Sequence, residues 1–311
     1  MSATEPGLHV HRQAGADRQL EAGLPPRGGE IETLRRCWRS LGVRRLALEW
    51  ELGGPTRLRP GLAGELRSAL GPALRLMGAH EAFAAVHGAE GVPAFWFVGW
   101  DCPEGPVTTV RAEARCLGAL ARAWPELAAA LGRLRLTAVG GGLVGTRHLR
   151  LRWLPEGRED LGFGPAVPEP ELGQRGGACL VEAMAPLCVR SRGRILREPP
   201  PPEVLVRSAG ERLRQLCERW GEEGDLPAVV GRAVREARHA RFSWARLHVA
   251  GGNRRSSRTD QEQRLVGVRG VMAYEGMSPL AMDLLILGAE LGVGKDTAFG
   301  CGTIRVFRAT G

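Results

Sequence analysis

From Arg45 onward, Leu46, Leu48, Trp50 and Leu52 alternate with Ala47, Glu49 and Glu51, the two-residue period of a strand with one buried face. After Gly53-Gly54-Pro55 and a short basic loop, the apolar positions Leu62, Leu66, Ala69, Leu70, Ala73, Leu74 and Met77 recur every three or four residues. That spacing predicts a helix, kinked at Pro72. Residues 94–100 and 107–117 read as two more strands, 117–131 as a second helix interrupted by Pro125, and 148–154 as a closing strand behind a glycine run. The order strand, helix, strand, strand, helix, strand is the βαββαβ plan of a ferredoxin-like, RRM-like domain.

Residues 155–178 are rich in Pro, Gly and Glu and carry no apolar period, which marks a linker. Beyond it the plan recurs. Residues 179–184 and 187–196 predict a hairpin, Pro199 to Pro202 a stop, and Leu205, Ala209, Leu213, Leu216 and Trp220 a helix. A second helix is expected over 226–240, a strand over 266–274, an apolar helix over 280–291 and a last strand over 303–307. The chain is therefore expected to be α+β: two tandem ferredoxin-like domains with extra helices. The divisions are an N-terminal extension (1–43) with no structure expected in its first thirty residues, a first domain (44–154), the linker, and a second domain (179–311).

Charge sharpens this picture. Among 311 residues, 43 basic against 34 acidic side chains give a net charge of +9, which favours a polyanionic partner. Lys295 is the one lysine; the other basic residues are arginines, whose guanidinium groups fork onto phosphate and stack on bases. Residues 231–270 hold ten arginines (232, 235, 238, 241, 246, 254, 255, 258, 264 and 269) against three acids, Glu236, Asp260 and Glu262. Trp244 lies inside this segment, where it is placed to stack on a base. Seven dispersed cysteines with no C-x-x-C pair exclude a disulfide scaffold and a zinc ribbon, and no apolar run is long enough to span a membrane. A cytoplasmic protein without a metal or other cofactor is expected.

Residues 291–302, LGVGKDTAFGCG, hold Gly292, Gly294, Gly300 and Gly302 around Lys295. Glycines let a backbone approach a ligand and turn its N–H groups toward phosphate. This is not a Walker A loop, because Ala289 stands where the first glycine is required and Asp296 follows the lysine. Together, the basic segment RRSSRTDQEQRLVGVRGVMAYEG and the loop resemble the C-terminal half of the CRISPR-associated repeat-cleaving endoribonucleases, in the repeat-associated mysterious protein superfamily. Residues 60–78 and 87–100 are similar to that family's first helix and its histidine-then-strand segment.

The resemblance implies metal-independent endoribonuclease cleavage of CRISPR repeat hairpin RNA to mature crRNA: a ribose 2′-OH attacks the adjacent phosphate and leaves a 2′,3′-cyclic phosphate. It places His87 at the general-base position, with His80 a weaker candidate. It also implies RNA contacts from Arg232, Arg235, Arg238, Arg241, Arg254, Arg255 and Arg258 and from the loop residues Gly292, Gly294, Lys295, Gly300 and Gly302. The family's lysine partner has no counterpart in the first half; divergent members, type IV among them, depend on arginines instead. Arg44, Arg59 and Arg264 are the arginines to fill that role, Arg44 and Arg59 as an anion site beside the first helix. A cationic cleft between the halves, closed by the glycine loop, is the expected RNA grip, with slow single-turnover cleavage, a retained product and other CRISPR effector subunits as partners. A non-catalytic guide-RNA subunit of the same superfamily is the alternative, and a general RNA-binding protein a third.

Overall fold

The computed structural model describes residues 28–59, 61–87, 92–99, 103–152, 166–255 and 262–308. The first half contains α1 (Gly28–Leu41), β1 (Arg44–Thr56), α2 (Leu62–Leu76), α3 (His80–His87), β2 (Phe95–Phe97), β3 (Val107–Cys116), α4 (Trp124–Leu131), β4 (Arg135–Thr137) and β5 (Leu143–Arg152). Its sheet runs β2-β3-β1-β5-β4, with every neighbour pair antiparallel. The second half contains β6 (Gly177–Leu187), β7 (Arg190–Ser191), β8 (Arg194–Ile195), α5 (Pro202–Trp220), α6 (Leu226–Ala237), β9 (Arg241–Arg255), β10 (Glu262–Met277), α7 (Pro279–Leu291) and β11 (Ile304–Arg308). Its main sheet runs β11-β6-β10-β9, again antiparallel. In each half the first and third strands of the unit are neighbours at the centre and the second and fourth lie outside them, the order of the ferredoxin-like fold.

The alternation in β1 buries Leu46, Leu48, Trp50 and Leu52 against the helices. Trp50 also donates its indole N–H to the Leu131 carbonyl at 2.8 Å, satisfying an acceptor that the end of α4 leaves without an intrahelical donor. Every second residue of β6 from Cys179 to Leu187 is buried in the same way. Ser278 caps α7 by accepting the Ala281 N–H, and Pro279 follows it at the first helical position.

Several elements differ from the expectation. Residues 28–41, assigned to an extension, form α1, whose Leu34, Cys37, Trp38 and Leu41 make a buried stripe. The stripe docks on the second half: Ser40 accepts the Glu222 N–H, and Glu30 pairs with Arg232. Helix α3 follows α2 where no element was expected. Pro125 starts α4 rather than interrupting a helix. The expected hairpin over 179–196 is one long strand, β6, followed by a separate small hairpin, β7–β8. The basic segment is itself β9 and the start of β10, a long antiparallel ribbon.

The halves are joined by charge as well as packing. Arg115, 7% exposed at its side chain, reaches Glu290 of α7 at 2.8 Å, and Arg45 reaches the same carboxylate at 3.4 Å. Residues 166–173 run along the joint: the Val167 N–H donates to the Val43 carbonyl, and the Gly173 N–H donates to Asp283 at 2.9 Å. Asp283 is fully buried, and burial pushes its carboxyl up to about 6 against the opposing pull of Gly173 and Arg308.

Because the folded carboxyl holds its proton to higher pH than the ordinary value of 3.8, the folded state binds more protons between about pH 4 and pH 6. This group's contribution to stability therefore falls as pH rises through that window, by on the order of 3 kcal/mol for a shift of about two units. Denaturant unfolding of the wild type and of Asp283→Asn from pH 4 to pH 7 should differ by that slope, and parallel curves would show that Asp283 does not titrate there.

Candidate nucleic-acid interface

The antiparallel order brings three connections to one end of the second half. There β6 ends and leads into the β7–β8 hairpin, the glycine loop leads from α7 into β11, and the far end of the β9–β10 ribbon extends beyond Leu187, which pairs with Val268. The loop is fastened to the base of the hairpin, where the Lys295 N–H donates to the Cys188 carbonyl at 2.9 Å and the Gly302 N–H to the Pro186 carbonyl at 2.9 Å.

The same loop is wedged against the first half. A Cβ on Gly300 would sit 2.5 Å from the Ala63 Cβ and 2.9 Å from the Gly99 Cα. The Gly99 N–H donates to the Thr303 hydroxyl at 2.8 Å, and the Arg67 guanidinium lies over the Phe299 ring at 5.0 Å. Behind the loop, the buried Arg212 donates to the Leu291 carbonyl at the end of α7 and lies over Trp96 of the first half. Burial lowers its pKa to about 10, and it still carries its charge at neutral pH beside the negative end of the α7 dipole.

This geometry corrects the role expected of the glycines. Gly292, Gly300 and Gly302 are buried, and their N–H groups donate to Gly288, Thr297 and Pro186. Their close backbone contacts require glycine for packing. At Gly302, φ is +71° and a Cβ would lie 1.9 Å from the Val293 carbonyl oxygen. Gly294 is half-buried above Cys188, and Lys295 is exposed beside it. The loop is packed as a wedge between the halves.

The remaining expected residues are divided. Arg44 and Arg59 cannot share an anion, because the 13 residues of β1 separate them, about 40 Å at the usual rise of a strand. Arg44 lies opposite Cys116 at the start of β1. Arg59 is exposed near the N-terminus of α2, with a guanidinium nitrogen 3.9 Å from the Cβ position of Gly141. The α2 N-cap is Gly61, which supplies no capping side chain. His87 ends α3 with its ring on Phe83, centroids 4.5 Å apart, and its Nε2 would lie 2.9 Å from a Cβ on Gly71. Gly71 follows Gly64, which faces the loop, by seven residues, two turns or about 10 Å along α2. The histidine is therefore packed into the α2–α3 contact and set back from the loop.

The basic segment is not one patch. Arg232 is held by Glu30 and Glu236 and is not available to a ligand. Arg235, Arg238 and Arg241 are exposed at the near end of β9, while Arg254 and Arg255 end the strand about 45 Å away. Strand pairing sets Arg264 opposite Asn253, at the same far end; Arg258 lies outside the described residues. Trp244 is 49% exposed on β9, between these two groups.

The cleft between the sheets, about 1090 Å³, is not a cationic grip. Its arginines are matched by acids: Arg111 with Glu49 at 2.7 Å, Arg45 with Glu113 at 3.4 Å, and Arg305 with Glu182 at 3.7 Å. The basic groups that sequence reasoning missed are elsewhere: Arg190, Arg192, Arg194 and Arg197 are all exposed on and just after the β7–β8 hairpin. Four arginines within eight residues were the available signal.

Residues 181–304 match the family model of the CRISPR-associated endoribonuclease Cas6. Over that stretch the chain is similar to the Cas6 family. The match spans β6 through the glycine loop to the first residue of β11. The Thermus thermophilus Cas6 TTHB231, in its product complex, is similar at 18% identity and a TM-score of 0.59, over 85% of this chain and 100% of that one. The product complex of Cas6 TTHA0078 matches at 21% identity and 0.52, over 86% and 100%. The Cas6-containing chain of a Cas6-RT-Cas1–Cas2 complex matches at 13% and 0.51, over 86% and 46%. These likenesses show a shared fold of two ferredoxin-like units. No curated protein matches the chain. Among the described residues, no helix is long and apolar enough to cross a membrane.

If the glycines serve packing, Gly302→Ala should lower unfolding stability by more than about 2 kcal/mol, since it combines a positive φ with a backbone clash. Lys295→Ala, on an exposed side chain, should change stability by less than about 0.5 kcal/mol. Denaturant midpoints measure both, and equal values would return the loop to a purely ligand-binding role.

Proposed function

We propose that this protein binds the hairpin of a CRISPR repeat RNA and cuts the precursor to mature crRNA. The observation that carries the reading is the Cas6 match over residues 181–304; supporting it, the loop that holds Lys295 packs through Gly300 on Ala63 in the first turn of α2. An RNA stem presents phosphates and 2′-hydroxyls to such a junction more readily than base edges.

The reaction in this reading is attack of a 2′-hydroxyl on its own 3′-phosphate, giving a 2′,3′-cyclic phosphate and a 5′-hydroxyl without a metal. Lys295, Arg59 and, from the far end of the ribbon, Arg264 neutralise charge on the phosphorane and hold the strand in line. Arginine is a poor proton acceptor, because its pKa exceeds 12. With His87 packed over Gly71, no base is assigned at the junction, and rate enhancement comes from alignment and charge stabilisation. Cleavage is accordingly slow, and a surface that neutralises several phosphates retains its product at moderate salt. Retention makes the protein a candidate subunit of a CRISPR effector.

The packed position of His87 also favours a second reading, a guide-RNA subunit without catalysis. Incubating the protein with labelled cognate repeat RNA in EDTA separates the two. Cyclic-phosphate ends, diminished about 10- to 100-fold in Lys295→Ala or Arg59→Ala and by less than 3-fold in His87→Ala, are expected. Binding without cleavage would leave the structural subunit, and equal affinity for unrelated hairpins a general RNA binder.

A further inference from the structure

The β7–β8 hairpin is the most concentrated basic feature at the loop end. Its turn is Arg192-Gly193, with φ of +48° and +80°, and the strands pair Arg190 with Ile195 and Ser191 with Arg194. Two consecutive positive φ values between paired strands are the mark of a type I′ turn, whose first position favours Asn, Asp or Gly. Arg192 takes that position against preference, one of two non-glycine residues with positive φ among the described residues. A residue kept in an unfavoured backbone state is a reason to look for a function.

The arrangement of charge suggests what that function is. Residues paired across a hairpin share a face and consecutive residues alternate, so Arg190 lies on one face of the ribbon and Arg194 on the other, with Arg192 at the tip. Arg197 follows just beyond β8. No ion pair is formed by any of the four with a described residue, in contrast to the matched arginines of the cleft. Glu198 is the one acid between Val189 and Pro199. The base of the hairpin is tied to the wedge by the Lys295 N–H bond to Cys188, so the hairpin has a fixed position beside Lys295.

We infer that the β7–β8 hairpin is a backbone clamp for duplex RNA, with Arg190 and Arg194 engaging phosphates on its two sides and Arg192 engaging them at its tip. A ribbon charged on both faces suits a ligand with phosphate rows on either side, as a stem has, better than a flat anionic surface. Arginine rather than lysine supplies paired donors to each phosphate. The inference rests on the RNA-binding reading above and deepens it by naming the element that holds the stem.

Binding of fluorescein-labelled cognate repeat hairpin RNA, titrated from 50 to 300 mM salt, tests it. Replacing Arg190, Arg192, Arg194 and Arg197 together by Ala should weaken binding about 10- to 100-fold at 150 mM salt. It should also reduce the slope of log affinity against log salt by about 2 to 4, near one per lost phosphate contact. Arg192→Asn provides a variant that cannot fail through misfolding, because Asn suits the turn: its thermal midpoint should hold or rise while RNA affinity drops about 3- to 10-fold. Wild-type binding with unchanged affinity and slope in both variants would overturn the clamp and leave the RNA reading standing. A wild type that binds no RNA would overturn the RNA reading itself.

Discussion

The close approach of backbone at the glycine loop is the constraint on which the arrangement depends. Gly300 meets Gly99 and Ala63 of the first half, and Gly302 meets Val293 within the loop, at separations that leave no room for a Cβ. At such contacts any side chain must displace main chain, which is costly in a close-packed interior. The loop thereby fixes three things at once: the start of α2, the base of the β7–β8 hairpin and the position of Lys295. A flexible segment would set none of them.

Charge divides along the same line. Between the sheets, arginines serve cohesion: Arg115 and Arg45 converge on Glu290, and Arg111 meets Glu49. Breaking the largely buried Arg115–Glu290 pair would leave a charge without compensation, so that pair holds the halves together, whereas Arg111–Glu49 joins two strands of the first half. At the loop end the balance is reversed, with exposed arginines on the β7–β8 hairpin and no matching acids among the described residues. Net charge alone, +9, does not reveal this division. It argues for a polyanionic partner, while only pairing shows which cations remain to meet it.

Much of the fold was legible before the structure. Alternation in β1 and helical spacing in α2 and α5 were the clearest signals for two βαββαβ units, because burying one face of an element leaves a period in its own sequence. What was misread were segments whose local signals conflict with their setting. Helix α1 follows directly on a stretch poor in large apolar residues, and its Leu34, Cys37, Trp38 and Leu41 gain their meaning from a surface on the second half. Arginines mask the strand period in β9, where Phe242, Ala245 and Leu247 pack on the core and Arg246 and His248 face outward.

The residues of the candidate site were named more readily than they were placed. Composition and motif identified an Arg-rich, glycine-looped chain and, through a resemblance, the similarity of its second half to Cas6. Sequence by itself determined the elements, the repeat of the plan and the excess of cations, since each depends on neighbours along the chain. Only the tertiary structure decided that Arg44 and Arg59 stand at opposite ends of one strand, that Arg232 is consumed by Glu30, that His87 is packed on Gly71 and that the glycines are filled by backbone. Those outcomes depend on contacts between residues tens to hundreds of positions apart, for which local pattern carries no information.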